Sequence, residues 1–247
     1  MSSRCAGRGA KLSVSGFYPD AAAHEALTAA LERDFLKEKV NDLSAVGGGA
    51  PAGFLPAVLA GLEQLSRMAG GELSLADTQL RLSGTVLVPG AAAEMAAELK
   101  AGVKPPLAVE MALELAPPQP PVPTPACAKL VGDFLARGTI RFASGSADID
   151  RRSRGLLDRL AVTLMRCPDG VVHISGHTDG TGDAEANRRL SEARANAVLA
   201  YLAAAGIATD RLSAVGYGSG QPLAPNDTEA GKALNRRIEF EVKERAP

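Results

Sequence analysis

The sequence predicts a mixed α/β (α+β) protein with two domains. Patterns typical of strands and of helices alternate along the chain, and a proline-rich segment divides it. Hydrophobic residues make up 46% of the 247 residues, which is enough to bury a core in each of two ordinary domains. This composition excludes a wholly disordered chain.

Charge and hydropathy argue against nucleic-acid binding and against a membrane-spanning helix. The formal net charge is −1, so the chain has no basic excess of the kind that binds nucleic acid. No apolar run approaches the roughly 20 residues that a membrane-spanning helix needs. We therefore expect no nucleic-acid partner and no spanning helix.

The clearest landmark is the segment Ala116–Ala126, which has six prolines in eleven residues. Proline fixes the backbone and lacks an N–H donor, so such a segment favours an extended, semi-rigid spacer. The sequence therefore predicts an N-terminal domain over residues 10–116, a linker over 117–126 and a C-terminal domain over 127–247.

The N-terminal domain carries a faint internal repeat. Leu12–Gly16 and Leu80–Gly84 both alternate apolar and polar residues, which is the period of a half-buried strand. Each copy precedes a helical stretch and then a second strand, which predicts two β-α-β units. These stretches are Asp20–Arg33 with Lys37–Leu43, and Ala91–Lys100 with Leu107–Leu115.

A helix is expected between the two units. Leu55, Val58, Leu62 and Leu65 keep helical spacing, and Gly70-Gly71 is expected to end that helix before a strand from Glu72. The whole arrangement resembles the BON-type modules of some exported bacterial envelope proteins, over roughly residues 10–116. A generic α/β domain of unknown role is the alternative.

The C-terminal domain alternates strands and helices in a sharper pattern, which predicts one α/β sandwich with four strands. The expected strands are Thr139–Ala143, Val171–Gly176, Leu212–Tyr217 and Arg236–Val242. The expected helices are Ser153–Met165 and a long one that Asp183 caps and that runs to about Ala205.

One set of polar residues in this domain has the pattern of a binding site. The second strand delivers Asp179 to a glycine-rich turn that lies just before the long helix. On that helix Asn187 and Arg194 are seven residues apart, so they share a face about 10 Å apart along the axis. A carboxylate, an amide and a guanidinium along one groove suit a zwitterion, since the carboxylate holds an ammonium and the guanidinium a carboxylate.

These residues belong to a longer series that resembles the OmpA-like peptidoglycan-binding domain, over roughly residues 130–243. The series comprises His177-Thr178-Asp179, Gly182, Asn187, Leu190-Ser191, Arg194-Ala195, Gly216-Tyr217-Gly218, Pro222, Asn226, Thr228, Gly231 and Asn235-Arg236-Arg237.

The resemblance implies an α/β sandwich with a mixed four-stranded sheet. It also implies that Asp179 and Arg194 clamp the diaminopimelate of the peptidoglycan stem peptide and that Asn187 and Arg236 support them. The family is not enzymatic and anchors proteins non-covalently to the cell wall.

Two positions depart from the family pattern. Ala143 stands where many members have Asp, which argues against a side-chain contact from residues 142–149. Lys232 stands where the family usually has arginine, which keeps the charge but loses the planar fork of the guanidinium. Structural roles stay open as alternatives, since Asp179 can cap its turn and Arg194 can be a surface residue. Arg237 should face away from the site.

Catalytic and metal chemistry are not expected. His173 and His177 lie four residues apart along a strand, and the sequence offers no third metal ligand beside them. No Ser-His-Asp or Cys-His pair stands in a nucleophile motif. We therefore expect neither an enzyme nor a bound cofactor, and a wall-degrading enzyme is the weakest alternative.

The cysteines bear on the compartment. Cys127 and Cys167 both fall in the C-terminal domain, and a bridge between them would close a loop of about 40 residues, whereas two buried free thiols are the alternative. We favour the disulfide, which persists in the periplasm or outside the cell. Cys5 has no assigned role.

The sequence thus predicts a periplasmic, outer-membrane-associated protein that binds peptidoglycan, with an envelope protein or a membrane surface facing its N-terminal domain. Residues 1–8 do not form an export signal, because no apolar stretch follows their basic residues. Either the chain is cytoplasmic or an export signal lies upstream. The alternative function is an outer-membrane pore or transport component whose C-terminal domain is only the wall anchor.

Overall fold

The computed structural model describes the backbone of residues 2–8, 11–35 and 39–245, and the side chains of residues 12–35 and 39–245. The chain divides into two compact units, residues 1–117 and 118–247. The boundary falls within the proline-rich segment. No helix in the described ranges is long and apolar enough to cross a membrane.

The first unit has a six-stranded sheet and three helices within its described residues. In chain order these are β1 (Ser2–Arg8), β2 (Lys11–Tyr18), α1 (Ala21–Asp34), β3 (Lys39–Val46), α2 (Phe54–Leu65), β4 (Met68–Ala76), β5 (Gln79–Val86), α3 (Ala91–Gly102) and β6 (Ala108–Leu115). The strand order is β3-β2-β1-β4-β5-β6. β2 pairs parallel with β3 and β5 with β6, around α1 and α3 respectively. Two β-α-β units are therefore present.

The sequence explains why these elements form. Asp20 caps α1, accepting a hydrogen bond from the Ala23 amide at 2.8 Å. Leu80 and Leu82 alternate with exposed residues along β5 and are fully buried, as is Met95 of α3. The alternation places one face of the sheet under the helices, so the core lies between the two layers.

Three details of the first unit differ from expectation. β1 precedes the predicted domain start. α2 ends at Leu65, and Gly70-Gly71 lie inside β4 rather than ending the helix. A Cβ on Gly71 would lie 2.6 Å from the Ser83 carbonyl oxygen, so these glycines allow β4 and β5 to approach closely. β3 runs to Val46, and its expected start at Lys37 lies outside the described residues.

The second unit stacks helices against a smaller sheet. Its elements are α4 (Thr124–Leu135), a 3₁₀ turn (Arg151–Ser153), α5 (Arg154–Met165), β7 (Gly170–His177), α6 (Ala184–Ala204), β8 (Leu212–Gly218), α7 (Glu229–Asn235) and β9 (Ile238–Glu244). The strand order is β8-β7-β9, with β8 parallel and β9 antiparallel to β7. Val172 and Ile174 of β7 are fully buried, together with Leu157 and Leu160 of α5.

The prediction of a four-stranded sheet in this unit is wrong. Across residues 118–245, all of which the structure describes, the sheet has three strands. The expected strand Thr139–Ala143 forms only one bridge, between Phe142 and Ile149. The chain reverses at Gly145, whose φ is 65°, and pairs with itself instead of joining the sheet.

Helix boundaries account for two further corrections. β9 begins at Ile238 rather than Arg236, because Arg236 ends α7 and donates its amide to the Lys232 carbonyl. Sequence reasoning missed both α7 and α4. α4 begins inside the predicted linker, with a proline in its first turn, where the missing N–H has no intrahelical partner to lose.

The end of the proline-rich segment is also held by the second unit and is not a free spacer over 117–126. The Val122 amide donates to the Arg166 carbonyl at 2.7 Å, and the Arg166 Nε donates to the Pro120 carbonyl at 3.0 Å. A Cys127–Cys167 disulfide, present as expected, fixes the start of α4 to the chain just after α5. Residues from Pro120 onward therefore belong to the second unit.

Close packing of α6 on the sheet depends on a glycine. A Cβ on Gly176 of β7 would collide with the backbone of Ser191 in α6. We expect Gly176→Ala to destabilise the second unit by about 1–3 kcal/mol, because neither backbone can yield freely. Hydrogen exchange of the β7 amides measures this stability within one unit. Gly132→Ala in α4 is the control, since its Cβ would meet open space. Equal protection in both variants would contradict the prediction.

Candidate functional site

The Asp179 carboxylate lies in the turn that joins β7 to α6. Its Oδ1 accepts a hydrogen bond from the Thr181 amide at 2.9 Å. The Gly180 amide donates to Asn226 Oδ1 at 2.9 Å, and Asp183 caps α6 by accepting from the Ala186 amide. The turn is thus fixed on both sides of Asp179, and the carboxylate stands at the N-terminal end of α6.

Arg236 pairs with this carboxylate. Its Nη1 lies 2.7 Å from Asp179 Oδ2, and the two side chains are 43% and 14% exposed. Partial burial raises the pKa of Asp179, but hydrogen bonds from Arg236 and Thr181 outweigh it and hold that pKa below its ordinary value of 3.8. Asp179 is therefore ionised at neutral pH.

Arg194 lies on the same side of α6 as Asn187 but is held differently from Arg236. Its Nε donates to the Ser146 carbonyl at 2.9 Å, and its Cζ lies 5.1 Å from the centroid of the Phe142 ring. Burial lowers the pKa of Arg194, the charge of Arg236 lowers it further, and Asp179 opposes both. A guanidinium stays protonated in spite of such shifts, so a half-buried cation faces this site.

Asn187 secures the turn. Its Nδ2 donates to the Thr181 carbonyl at 2.9 Å and is 3.4 Å from the Asp179 carbonyl. Both bonds reach backbone carbonyls of the turn, that of Asp179 itself and that of Thr181 two residues later. The structure therefore brings Asp179 and Arg236 into contact, places Asn187 behind their turn, and places Arg194 within electrostatic reach.

Two side-chain amides that sequence reasoning left without a role, Asn235 and Asn226, support this turn. Asn235 is fully buried at the end of α7, and its Nδ2 donates to the Ala224 carbonyl and to Asn226 Oδ1 at 2.8 and 2.9 Å. Asn226 in turn accepts from Gly180. Both residues were part of the recognised series, but only the fold shows that they connect α7 to the Asp179 turn.

Arg237 faces away from the site, as expected. Its Nε lies 2.6 Å from Glu239 Oε1, and its Nη2 donates to the Gln221 carbonyl at 3.2 Å. The two histidines make separate contacts. His173 Nδ1 contacts Ser213 Oγ, whereas the His177 ring stacks on Tyr217. No group of three or more metal-ligating side chains occurs within the described side chains.

Burial of His177 makes the second unit sensitive to pH. Desolvation lowers the pKa of His177 below its ordinary 6.5, the Arg237 charge adds to this, and Glu239 opposes it. The unfolded chain therefore takes up a proton as pH falls through 6.5 while the folded chain does not. The stability that the folded unit has while His177 is neutral in both states is fully present above pH 6.5. It is lost progressively as the pH falls below that value.

Urea titrations of wild type and His177→Gln at about pH 7.5 and about pH 5.5 test this. Wild type is expected to lose more free energy of unfolding on acidification than the variant. The variant keeps every carboxylate of the wild type, so equal losses would mean that His177 does not carry the effect.

The site as a whole brings one carboxylate and two guanidinium groups together at the end of a helix. Such a set can hold an ammonium against Asp179 and a carboxylate against Arg194. It contains no nucleophile paired with a base. The chemistry that the geometry offers is therefore recognition of a zwitterion.

Comparison with known proteins finds a family match over the part of the chain that contains these residues. Residues 141–236 match the OmpA family. The chain is 42% identical over 129 residues to "Peptidoglycan-binding protein ArfA" of Mycobacterium tuberculosis (strain ATCC 25618 / H37Rv), covering 51% of this chain and 39% of that protein. It is 38% identical over 107 residues to "Outer membrane porin F" of Pseudomonas fluorescens, covering 43% of this chain and 33% of that protein.

A solved structure is similar over part of the chain. The peptidoglycan-associated lipoprotein from Burkholderia pseudomallei is 31% identical, with a TM-score of 0.40, and the match covers 44% of this chain and 93% of that one. The chain spans about two fifths of the length of the ArfA relative. The family match includes Phe142, Asp179, Asn187, Arg194 and Arg236. Residues 141–236 therefore form a domain of the OmpA family.

Proposed function

We propose that this protein binds diaminopimelate-type peptidoglycan non-covalently and anchors an envelope protein to the cell wall. The observation that carries the proposal is that one OmpA family domain holds an ionised carboxylate, Asp179, and a half-buried guanidinium, Arg194, which is held by the Ser146 carbonyl and the Phe142 ring. The similarity to ArfA, which is named as a peptidoglycan-binding protein, supports the same ligand.

The free end of a diaminopimelate side chain carries an ammonium and a carboxylate on one carbon. Asp179 accepts from Thr181 and Arg236 and, as a carboxylate, has lone pairs left for an ammonium. Arg194 offers its terminal nitrogens to the carboxylate. Asn187 and Arg236 act through Asp179, one by fixing the turn and the other by keeping the carboxylate ionised. Each charge-assisted bond contributes about 1.5–3 kcal/mol.

The setting that we propose is the periplasm, in association with the outer membrane. The Cys127–Cys167 disulfide fits an oxidising compartment. The protein acts there as a binding protein and not as an enzyme. Weak single sites gain strength on a polymer, because each bound domain stays close to many further copies of the ligand.

In this proposal the first unit is a BON-like module that contacts a partner protein or a membrane surface. Its edge strand β3 supports this, since Leu43 and Val46 are 67% and 63% exposed. Incubation of the whole protein with dye-loaded phospholipid vesicles separates the possibilities. Binding without dye release is expected for a surface role, dye release would favour a pore instead, and no vesicle binding would leave only a protein partner.

Co-sedimentation with purified diaminopimelate-type peptidoglycan tests the main proposal. We expect the whole protein to pellet with the polymer and free meso-diaminopimelate to release it, whereas 1,5-diaminopentane, which has two amines and no carboxylate, releases far less. Lysine-type peptidoglycan is the matched control polymer. Protein that stays in the supernatant, or that pellets equally with both polymers, would overturn the proposal.

A further inference from the structure

We propose that the Phe142 ring is a positioning residue for Arg194, holding its guanidinium ready for a ligand carboxylate. The inference rests on the proposed function and adds to it a residue that sequence reasoning did not assign to the site. That reasoning argued against a side-chain contact from residues 142–149, because Ala143 lacks a carboxylate. Residues of this segment instead contact the arginine.

The segment holds Arg194 at two points. The Phe142 ring centroid lies 5.1 Å from Arg194 Cζ, within the range of a cation–π contact. The Ser146 carbonyl accepts from Arg194 Nε at 2.9 Å. A ring and a carbonyl four residues apart therefore hold the guanidinium, one near its central carbon and the other at Nε.

The segment that makes these contacts is itself ordered by backbone hydrogen bonds. The Ala143 amide donates to the Asp148 carbonyl, and the Asp150 amide donates to the Arg141 carbonyl, both at 2.9 Å. Between them Phe142 and Ile149 form a bridge. The backbone that carries the Phe142 ring is thus held by a closed turn.

Arg194 differs from the other arginine of the site in its charge partners. Arg236 lies 2.7 Å from the Asp179 carboxylate. By contrast, over residues 39–245 no carboxylate lies within 4.0 Å of the Arg194 nitrogens, and Nη1 and Nη2 have no hydrogen-bond partner there. A cation supported by a π face and a carbonyl retains its capacity for an anion.

Holding the side chain in advance has an energetic consequence. A free arginine loses much rotamer freedom when it binds, and that loss reduces affinity. Phe142 and Ser146 restrict Arg194 before the ligand arrives. Removing the ring face should therefore weaken the part of binding that depends on the ligand carboxylate and leave the ammonium part at Asp179 unchanged.

Calorimetric titration of the whole protein with meso-diaminopimelate and with 1,5-diaminopentane, the same diamine without carboxylates, separates these two parts. We expect Phe142→Leu to weaken diaminopimelate binding by about 2- to 30-fold and diaminopentane binding not at all. Phe142→Tyr keeps the ring face and should restore binding. Phe240→Leu, in the same unit on β9, controls for a general loss of packing.

Two further measurements decide the cause. In an Arg194→Gln background, Phe142→Leu should add little, because no cation remains for the ring to hold. Without any ligand, the Arg194 Nε–H proton resonance should shift when the ring current is removed in Phe142→Leu. An unchanged resonance, or equal weakening toward both ligands, would overturn the positioning role.

The outcomes also distinguish this inference from the proposed function. If wild type fails to bind diaminopimelate, the proposed function fails whatever the resonance shows. If wild type binds and Arg194→Gln weakens it while Phe142→Leu binds normally, the function stands and the role of Phe142 is overturned.

Discussion

Asp179→Asn is expected to weaken binding to diaminopimelate-type peptidoglycan by about 10- to 150-fold, which is the loss of one charge-assisted bond to an ammonium. The asparagine oxygen can still accept from the Thr181 amide, so the turn before α6 should persist. Arg236 loses its ion-pair partner at the same time. The Arg236 guanidinium, no longer neutralised by Asp179, then repels the ligand ammonium.

The measurement is co-sedimentation of the whole protein over a range of peptidoglycan concentrations. Asp183→Asn is the matched control, since it makes the same chemical change four residues away, where the side chain caps α6 and asparagine caps a helix as well as aspartate does. Circular dichroism checks that both variants are folded. Equal binding by the two variants would mean that the domain keeps the family fold without a carboxylate-dependent site.

The sequence alone predicted the parts of the site that depend on local spacing. Asp183 caps α6, and Asn187 and Arg194 lie seven residues apart along that helix, so their side of the helix follows from its period. Asp179 follows directly from the end of a buried strand. The family resemblance named Arg236 as a residue that supports Asp179 and Arg194. Its contact with Asp179 is seen only in the fold, because 57 residues separate the two and no local pattern joins them.

Tertiary contacts decided what the sequence left open. Asn226 and Asn235 are ordinary polar residues in the sequence, and only burial of Asn235 beneath residues 223–226 gives them a structural role. Thr139–Ala143 has the alternation of a strand, but the reversal at Gly145 pairs it with itself. That same reversal brings Ser146 and Phe142 onto Arg194, so the failed strand and the missed site residue have one cause.

In the first unit, too, local patterns in the sequence predicted some features and long-range contacts decided others. Its internal repeat predicted two parallel β-α-β units, since each copy placed a helix between two strands. The antiparallel pairing of β1 with β4, which joins the two units into one sheet, connects residues about 70 positions apart and left no local signal. The prediction that Gly70-Gly71 end α2 was wrong for a related reason. Glycine is common where a helix ends, but it also allows two strands to approach closely, and local sequence does not distinguish the two.

Removing the disulfide is expected to cost the second unit about 4 kcal/mol of stability, the value that chain entropy gives for a closed loop of this length. The bridge spans 40 residues and joins the start of α4 to the chain after α5. Around it the Val122 amide and the Arg211 guanidinium donate to neighbouring carbonyls, so the native contacts persist without the bond. Loss of the constraint on the unfolded chain therefore dominates the effect.

Urea titration of wild type with and without dithiothreitol, beside the double variant Cys127→Ala/Cys167→Ala, measures this loss. Reductant should lower the midpoint of wild type and leave the variant unchanged. Ligand affinity should be retained at low urea, because Cys167 precedes β7 and Asp179 follows it, and eight residues of strand separate the two ends by roughly 26 Å. A midpoint that does not respond to reductant, or an affinity that falls with the bond, would show instead that the bridge shapes the site rather than limiting the unfolded chain.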